Sequence, residues 1–149
     1  LFILGYYNLI GATFNGVTFG VIFCMLACCN SGSHPGNVWP IMLGYVVGSF
    51  GFSYLSGLAG GSYAMTINAQ AIAIGLCFAN GLSPICSKYG WIPGVIASVM
   101  HFLLVTSVPN MHGGFCLYNG GFTAAVICVL LVPVLEKCVK TKAEKAAAK

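Results

Sequence analysis

Apolar residues in this chain fall into long runs that are separated by short segments rich in Gly, Pro, Asn and Ser. A lipid bilayer has a hydrocarbon core of about 30 Å, which a helix of about 20 apolar residues can cross. Gly, Pro, Asn and Ser favour turns, so they mark the ends of these runs. The pattern predicts five transmembrane helices, at about 12–29, 38–56, 64–80, 91–108 and 118–135. The predicted breaks are at 29–37, 57–61, 80–84 and 109–114.

The composition supports this interpretation. Charged residues make up 5% of the 149 residues, whereas soluble domains have about 25%. The hydrophobic fraction is 58% and the mean hydropathy is +0.92. A soluble domain of this size could not bury so much apolar surface. We therefore expect an all-α integral membrane protein with some re-entrant or broken helices, and we exclude a disordered chain, a nucleic-acid-binding protein and a soluble enzyme.

The lysines predict the orientation of the chain. Of the six basic residues, Lys88 lies between two predicted helices and the other five follow the last one. Basic residues are enriched in cytoplasmic segments. We therefore expect Lys88 and the C-terminus to lie on the cytoplasmic side of an inner or plasma membrane. Residues 136–149 are predicted to continue the last helix as a basic cytoplasmic tail, solvated or in contact with anionic headgroups.

A short internal repeat suggests duplication. Phe-Asn-Gly at 14–16 recurs as Tyr-Asn-Gly at 118–120, an offset that also pairs Cys24 with Cys128. We interpret 1–29 as the end of a first repeat and 30–135 as a second repeat, as in many transporters. The alternative is a chance match among apolar residues. Because the chain starts without Met inside an apolar run, we expect a missing N-terminal half.

The polar residues within the predicted helices are almost all neutral. The chain has no Asp, and its two Glu, at 136 and 144, lie at or beyond the end of the last helix. An ion-coupling site or proton relay built on carboxylates is therefore excluded. Each buried Asn or Thr must either bond to another helix or line a wet path. For His101 we expect a neutral imidazole bonded to a neighbouring helix.

The Asn-Gly pairs indicate a candidate site. They occur at 15–16, 80–81 and 119–120, and residues 109–121 also contain a Pro and four Gly. Such sequences disfavour a continuous helix, so we predict a break near 109–114 and a helix that starts near 118–121. In a pore, the Asn and Gly residues would lie at the helix breaks and the aromatic rings would form the walls. His112 would lie at the mouth, and the Thr hydroxyls would accept hydrogen bonds along the path. The candidate pore or solute-binding residues are Phe14, Asn15, Gly16, Thr18, His112, Tyr118, Asn119, Gly120 and Thr123.

Small residues at helical spacing, such as Gly44 and Gly48, predict close helix packing. The eight Cys form no C-x-x-C pair, and we interpret them as small packing residues rather than a metal site at Cys24, Cys28 and Cys29. No G-x-S-x-G, H-E-x-x-H or P-loop motif is present. We therefore predict no enzyme activity, no cofactor and no metal.

Several segments resemble an uncharacterised microbial family of polytopic membrane proteins. They are 14–16, 33–38, 84–91, 94–101 and 112–122, the last reading His-Gly-Gly-Phe-Cys-Leu-Tyr-Asn-Gly-Gly-Phe. That family carries two copies of a domain of unknown function, number fifteen-seventy-six, and the resemblance covers most of 12–135. It implies a duplicated membrane domain and no particular activity. Residues 14–20 also resemble a motif of urea transporters, which implies a pore for a neutral solute.

Together these features predict a channel or transporter for a small neutral solute or an anion. The alternative is a non-transporting structural or assembly subunit of a membrane complex. A pore would bring the Asn and Thr groups to a continuous wet cavity, whereas a scaffold would pair them in a dry interior. In either case we expect the lipid bilayer, and other membrane subunits or further copies of the chain, as partners.

Overall fold

The computed structural model of the protein describes residues 2–11, 13, 15–30, 32–60, 67–111 and 120–147. All regular structure within these residues is helical, which confirms the predicted fold class. The helices are α1 (Phe2–Leu9), α2 (Gly16–Asn30), α3 (Pro35–Leu58), α4 (Gln70–Ala79), α5 (Ser83–Tyr89), α6 (Trp91–Met111), α7 (Gly120–Cys138) and α8 (Lys142–Ala147), with a 3-10 turn at Asn80–Leu82.

Four segments of the described chain are long and apolar enough to cross a bilayer. They are Pro35–Leu58, Ala71–Tyr89, Trp91–Val108 and Gly120–Ala147. The protein is therefore a membrane protein, with four candidate spans among its described residues. The first predicted span corresponds to α2, which has 15 residues. A helix of that length rises about 22 Å, less than the thickness of a bilayer core.

The predicted break at 80–84 interrupts the α-helix with a 3-10 turn, but it does not separate two membrane spans as predicted. Helix α4, the 3-10 turn and α5 follow one another directly, so the span shifts from 64–80 to Ala71–Tyr89. Asn80 adopts a right-handed helical conformation, with φ −54° and ψ −26°. Pro84 lies in the first turn of α5. At that position a helix loses nothing from the missing N–H of proline.

Within the described residues α7 runs from Gly120, and residues 112–119 before it lie outside them, so the helix start near 118–121 stays a prediction. Helix α6 extends to Met111 and includes Pro109, so the break does not begin at 109. The remaining residues of the predicted break, 112–114, lie outside the described residues.

The interface between α3 and α6 is the most extensive in the described structure. A methyl group on Gly44 would lie 2.5 Å from Ser98 Cβ, and one on Gly48 would lie 2.8 Å from Phe102 Cδ1. The Ser98 hydroxyl also donates to the carbonyl of Ile41. Glycines at these positions let the two backbones approach closely, as the spacing of small residues predicts.

Lys88 and the beginning of the C-terminal tail lie at the same end of the bundle. The Lys88 ammonium is 3.2 Å from a carboxylate oxygen of Glu136. The tail does not continue α7, because α7 ends at Cys138 and a separate helix, α8, begins at Lys142. Thr141 and Glu144 form a reciprocal cap, with bonds of 2.7 Å from Thr141 N and 3.2 Å from Glu144 N. This cap starts a new helix, which corrects the prediction of one continuous helix.

Candidate functional site

A group of polar residues lies in the interior of the bundle, where α3, α6 and α7 meet. We call Tyr45, His101, Gly120 and Thr123 the midplane cluster. The Tyr45 hydroxyl is 2.6 Å from His101 Nδ1, and His101 Nε2 is 2.8 Å from the carbonyl oxygen of Gly120. The Thr123 hydroxyl is 2.9 Å from His101 Nε2 and 2.9 Å from the same carbonyl. The side chains of Tyr45, His101 and Thr123 are fully buried.

The hydrogen-bond partners define which ring nitrogen of neutral His101 carries the proton. A carbonyl oxygen only accepts, so Nε2 must carry the proton that bonds to Gly120. In the neutral ring Nδ1 is then an acceptor, and the Tyr45 hydroxyl donates to it. This arrangement confirms that His101 bonds to neighbouring helices, here both α3 and α7. The cluster is neutral, and its members satisfy one another.

Glycines make room for this cluster. A methyl group on Gly75 of α4 would lie 3.0 Å from the Tyr45 hydroxyl. A methyl group on Gly120 would lie 2.6 Å from Phe78 Cβ, also on α4. Helix α4 can therefore pack against both the Tyr45 hydroxyl and the start of α7. The glycine that opens α7 thus places its own carbonyl beside His101.

The cluster lies near the middle of the membrane-spanning region. Trp39 and Trp91 stack with ring centroids 6.0 Å apart, and aromatic residues of this kind favour the membrane interface. His101 follows Trp91 by ten residues, a rise of about 15 Å, or about half of a 30 Å core. Since Gly120 is bonded to His101, the first described residue of α7 lies inside the membrane-spanning layer and not at its surface.

Asn15 and Thr18, which were predicted to line the site, form the cap of α2. The Asn15 side-chain oxygen accepts from the Thr18 N–H at 3.0 Å and lies 3.1 Å from the Thr18 hydroxyl. The same hydroxyl is 3.3 Å from the carbonyl oxygen of Thr13. Gly16 is the first residue of α2. These contacts give Asn15 and Thr18 a structural explanation, since Asn is a favoured N-cap residue.

The structure thus brings Gly120 and Thr123 together with His101, and places Asn15, Gly16 and Thr18 at a different helix start. Four other candidate residues lie outside the described residues: Phe14, His112, Tyr118 and Asn119. The two helices of the internal repeat begin at equivalent residues, α2 at Gly16 and α7 at Gly120. Both of these helices also pack against α4.

Tyr45 is the member of the cluster that the sequence analysis missed. It lies in the middle of the predicted span at 38–56, whereas Tyr54 lies near the end of that span. A tyrosine far from the interface must find a partner for its hydroxyl inside the protein. The position of Tyr45 in the middle of the span was therefore the feature from which its buried hydrogen bond could have been predicted.

A second polar region lies at the end of the bundle that carries Lys88. A pocket of about 400 Å³ is lined by Gly32, Asn37, Ser83, Pro84, Ser87 and Lys88, and we call it the Asn37 pocket. The Asn37 side chain donates to the Gly32 carbonyl at 3.0 Å and to the Ser87 hydroxyl at 2.8 Å, and it accepts from the His34 N–H at 2.8 Å. Ser33 and Ser83 are joined by a hydroxyl–hydroxyl bond of 2.7 Å. These bonds tie the segment before α3 to α5.

Among the residues that the structure describes, no three His, Cys, Asp or Glu side chains are placed to share a metal ion. The side chains of Cys24, Cys28 and Cys29 are outside that set. Among the described residues, the midplane cluster and the Asn37 pocket are candidate functional sites.

Comparison with protein families gives a match to a family described as "Protein of unknown function (DUF1576)", over residues 1–137. The chain belongs to the DUF1576 family. This confirms the family resemblance, and the family description assigns no activity. No curated protein and no solved structure is significantly similar to this DUF1576 chain. The local likeness to urea transporters therefore stays a prediction.

Proposed function

We propose that this DUF1576 protein is a channel or transporter for a small neutral solute or an anion, and that the midplane cluster lies on its path. The observation that supports this most is the bond between His101 and Gly120, the first described residue of α7, within the membrane-spanning layer. Polar residues at this depth are costly and commonly functional. Transporters often bind their solutes near the midplane, at helices that begin there.

The chemistry of the cluster favours an uncharged solute or an anion. Its groups are a phenol, a neutral imidazole, a hydroxyl and a carbonyl, which offer both donors and acceptors and no negative charge. The nearest carboxylate along α7 is Glu136, sixteen residues from Gly120, or about 24 Å of helix. The start of α7 adds the positive end of a helix dipole, which favours an anion over a cation.

The path is closed in this conformation. Tyr45, His101 and Thr123 are fully buried and bonded to one another, so passage requires the cluster to open. Hydrogen bonds between membrane helices contribute only about 1 kcal/mol each. A barrier of that kind can open and close during transport, and the bond between Tyr45 and His101 serves as the closing contact.

The second candidate is a non-transporting subunit of a membrane complex. It is favoured by the same dry pairing of polar groups and by the close glycine contacts between α3 and α6. In that case the cluster would hold three helices together and nothing would pass it. A channel or transporter predicts solute flux through the protein, whereas a non-transporting subunit predicts none.

The test is solute flux into liposomes that contain the purified protein, with urea and glycerol as uncharged probes and formate as the anion. We expect at least one probe to enter faster than it enters protein-free liposomes. Replacing Thr123 with Val removes a hydroxyl of the path while keeping the side-chain shape, so it should lower that flux several-fold. Thr106→Val is the matched control, because the bonds of the Thr106 hydroxyl within the described residues go to carbonyls of its own helix, at 2.8 and 3.1 Å. Flux no faster than in protein-free liposomes for all three probes would favour the subunit.

A further inference from the structure

The Asn37 pocket combines a cation with hydroxyl groups in a rigid frame. Asn37 is 4% exposed, and its three hydrogen bonds hold the wall of the pocket. Ser87 accepts from Asn37, so its own hydroxyl hydrogen is not used in that bond. In the bond between Ser33 and Ser83 only one hydroxyl donates, which leaves the hydrogen of the other for a further acceptor. The lining contains Lys88 and no carboxylate.

The pocket lies at the end of the helix bundle that carries the charged residues. All eight charged residues are at position 88 or later, and the formal net charge is +4. Lys88 contacts Glu136 at 3.2 Å, but its ammonium has three donor hydrogens and its side chain is 51% exposed. Lys88 can therefore keep its ion pair with Glu136 and donate a hydrogen bond to a second oxyanion. Helix α8, which carries Lys142 and Lys145, packs against α5 beside the pocket.

The pocket is also at the level of the membrane interface. Trp39 lies two residues after Asn37, Trp91 lies three residues after Lys88, and the two rings are stacked and partly exposed. Basic pockets between transmembrane helices at this level bind the phosphate groups of anionic lipids. The volume of about 400 Å³ is within the range of small-ligand pockets.

We propose that the Asn37 pocket binds a phosphate oxyanion, with Lys88 and the hydroxyls of Ser83 and Ser87 as donors. The phosphate is either the headgroup of an anionic phospholipid in the adjacent leaflet or free inorganic phosphate. Phosphate groups are usually recognised by charge-assisted hydrogen bonds from an ammonium and from hydroxyls. Phosphate binding at this pocket does not depend on the proposed transport function, since the pocket lies at the end of the bundle and shares no residue with the midplane cluster.

Binding is measured on the purified protein in neutral detergent micelles with two probes. Phosphatidylglycerol is followed by native mass spectrometry, and inorganic phosphate by calorimetry. We expect Lys88→Gln and Ser87→Ala to weaken binding, Lys88→Gln by about tenfold, the usual effect of one lost charge-assisted bond. Lys145→Gln is the matched control, because it removes the same charge from α8 and not from the pocket.

The two probes distinguish the sources of phosphate. Binding of phosphatidylglycerol that inorganic phosphate does not displace identifies the lipid headgroup, and binding of inorganic phosphate identifies the free ion. Either result supports the site if it depends on Lys88 and Ser87. Equal losses in Lys88→Gln and Lys145→Gln, with Ser87→Ala unchanged, would indicate general surface charge and overturn the proposal. Failure of the unchanged protein to bind either probe would overturn it as well.

Discussion

The midplane cluster and the Asn37 pocket both use side-chain hydrogen bonds to attach α3 to other helices, but they differ in what they leave open. In the cluster, Tyr45, His101 and Thr123 are fully buried and bonded to one another. In the pocket, Asn37 is equally well bonded, yet Lys88 and Ser87 remain exposed beside it. Depth explains the difference, because a polar group in the membrane interior needs a protein partner, whereas one at the interface can use water or a ligand.

The largest loss of stability should come from a change in the packing of α3 on α6, next to the midplane cluster. Gly44→Ala would place a methyl group 2.5 Å from Ser98 Cβ and 2.8 Å from the carbonyl oxygen of Val95, so α3 and α6 must separate. We expect a loss of about 1–3 kcal/mol in the free energy of unfolding, measured by denaturant titration in micelles. Gly51→Ala on the same helix meets nothing within 4 Å and is the control. Equal stability of the two variants would contradict the close packing of α3 on α6.

A smaller effect is expected from one hydrogen bond of the cluster. Tyr45→Phe keeps the ring and removes the donor to His101 Nδ1. We expect a loss of about 1 kcal/mol in the same titration, since interhelical bonds in membranes are of this size. Tyr54→Phe, at a tyrosine that is 70% exposed, should leave the free energy of unfolding unchanged. A Tyr45 variant as stable as the Tyr54 variant would show that this bond adds nothing to the closed cluster.

The smallest effect on folding is expected at the pocket. Lys88→Gln removes an exposed ion pair with Glu136, and pairs of this kind contribute little to stability. The free energy of unfolding should stay within the error of the titration. A clear loss of stability would mean that Lys88 supports the fold, and the contrast with the cluster would then disappear.

The sequence predicted the elements that depend on local signals. The apolar runs predicted the membrane-spanning helices. It failed at 80–84, where Pro84 falls in a first helical turn that tolerates it. Tyr45 and the Asn37 pocket were missed because their key bonds join residues far apart in the chain. Tyr45 bonds to His101 and Asn37 bonds to Ser87, and nothing local to Tyr45 or Asn37 specifies those partners.

The most direct test of the proposed path is the effect of the closing contact on flux. Tyr45→Phe and Tyr54→Phe are compared in liposomes with the faster of the urea, glycerol and formate probes. Because the Tyr45 hydroxyl bonds to His101 across the closed path, its removal should raise the rate of solute entry several-fold, while Tyr54→Phe leaves the rate unchanged. Equal rates for the two variants and the unchanged protein would contradict the claim that the midplane cluster closes a path for solute.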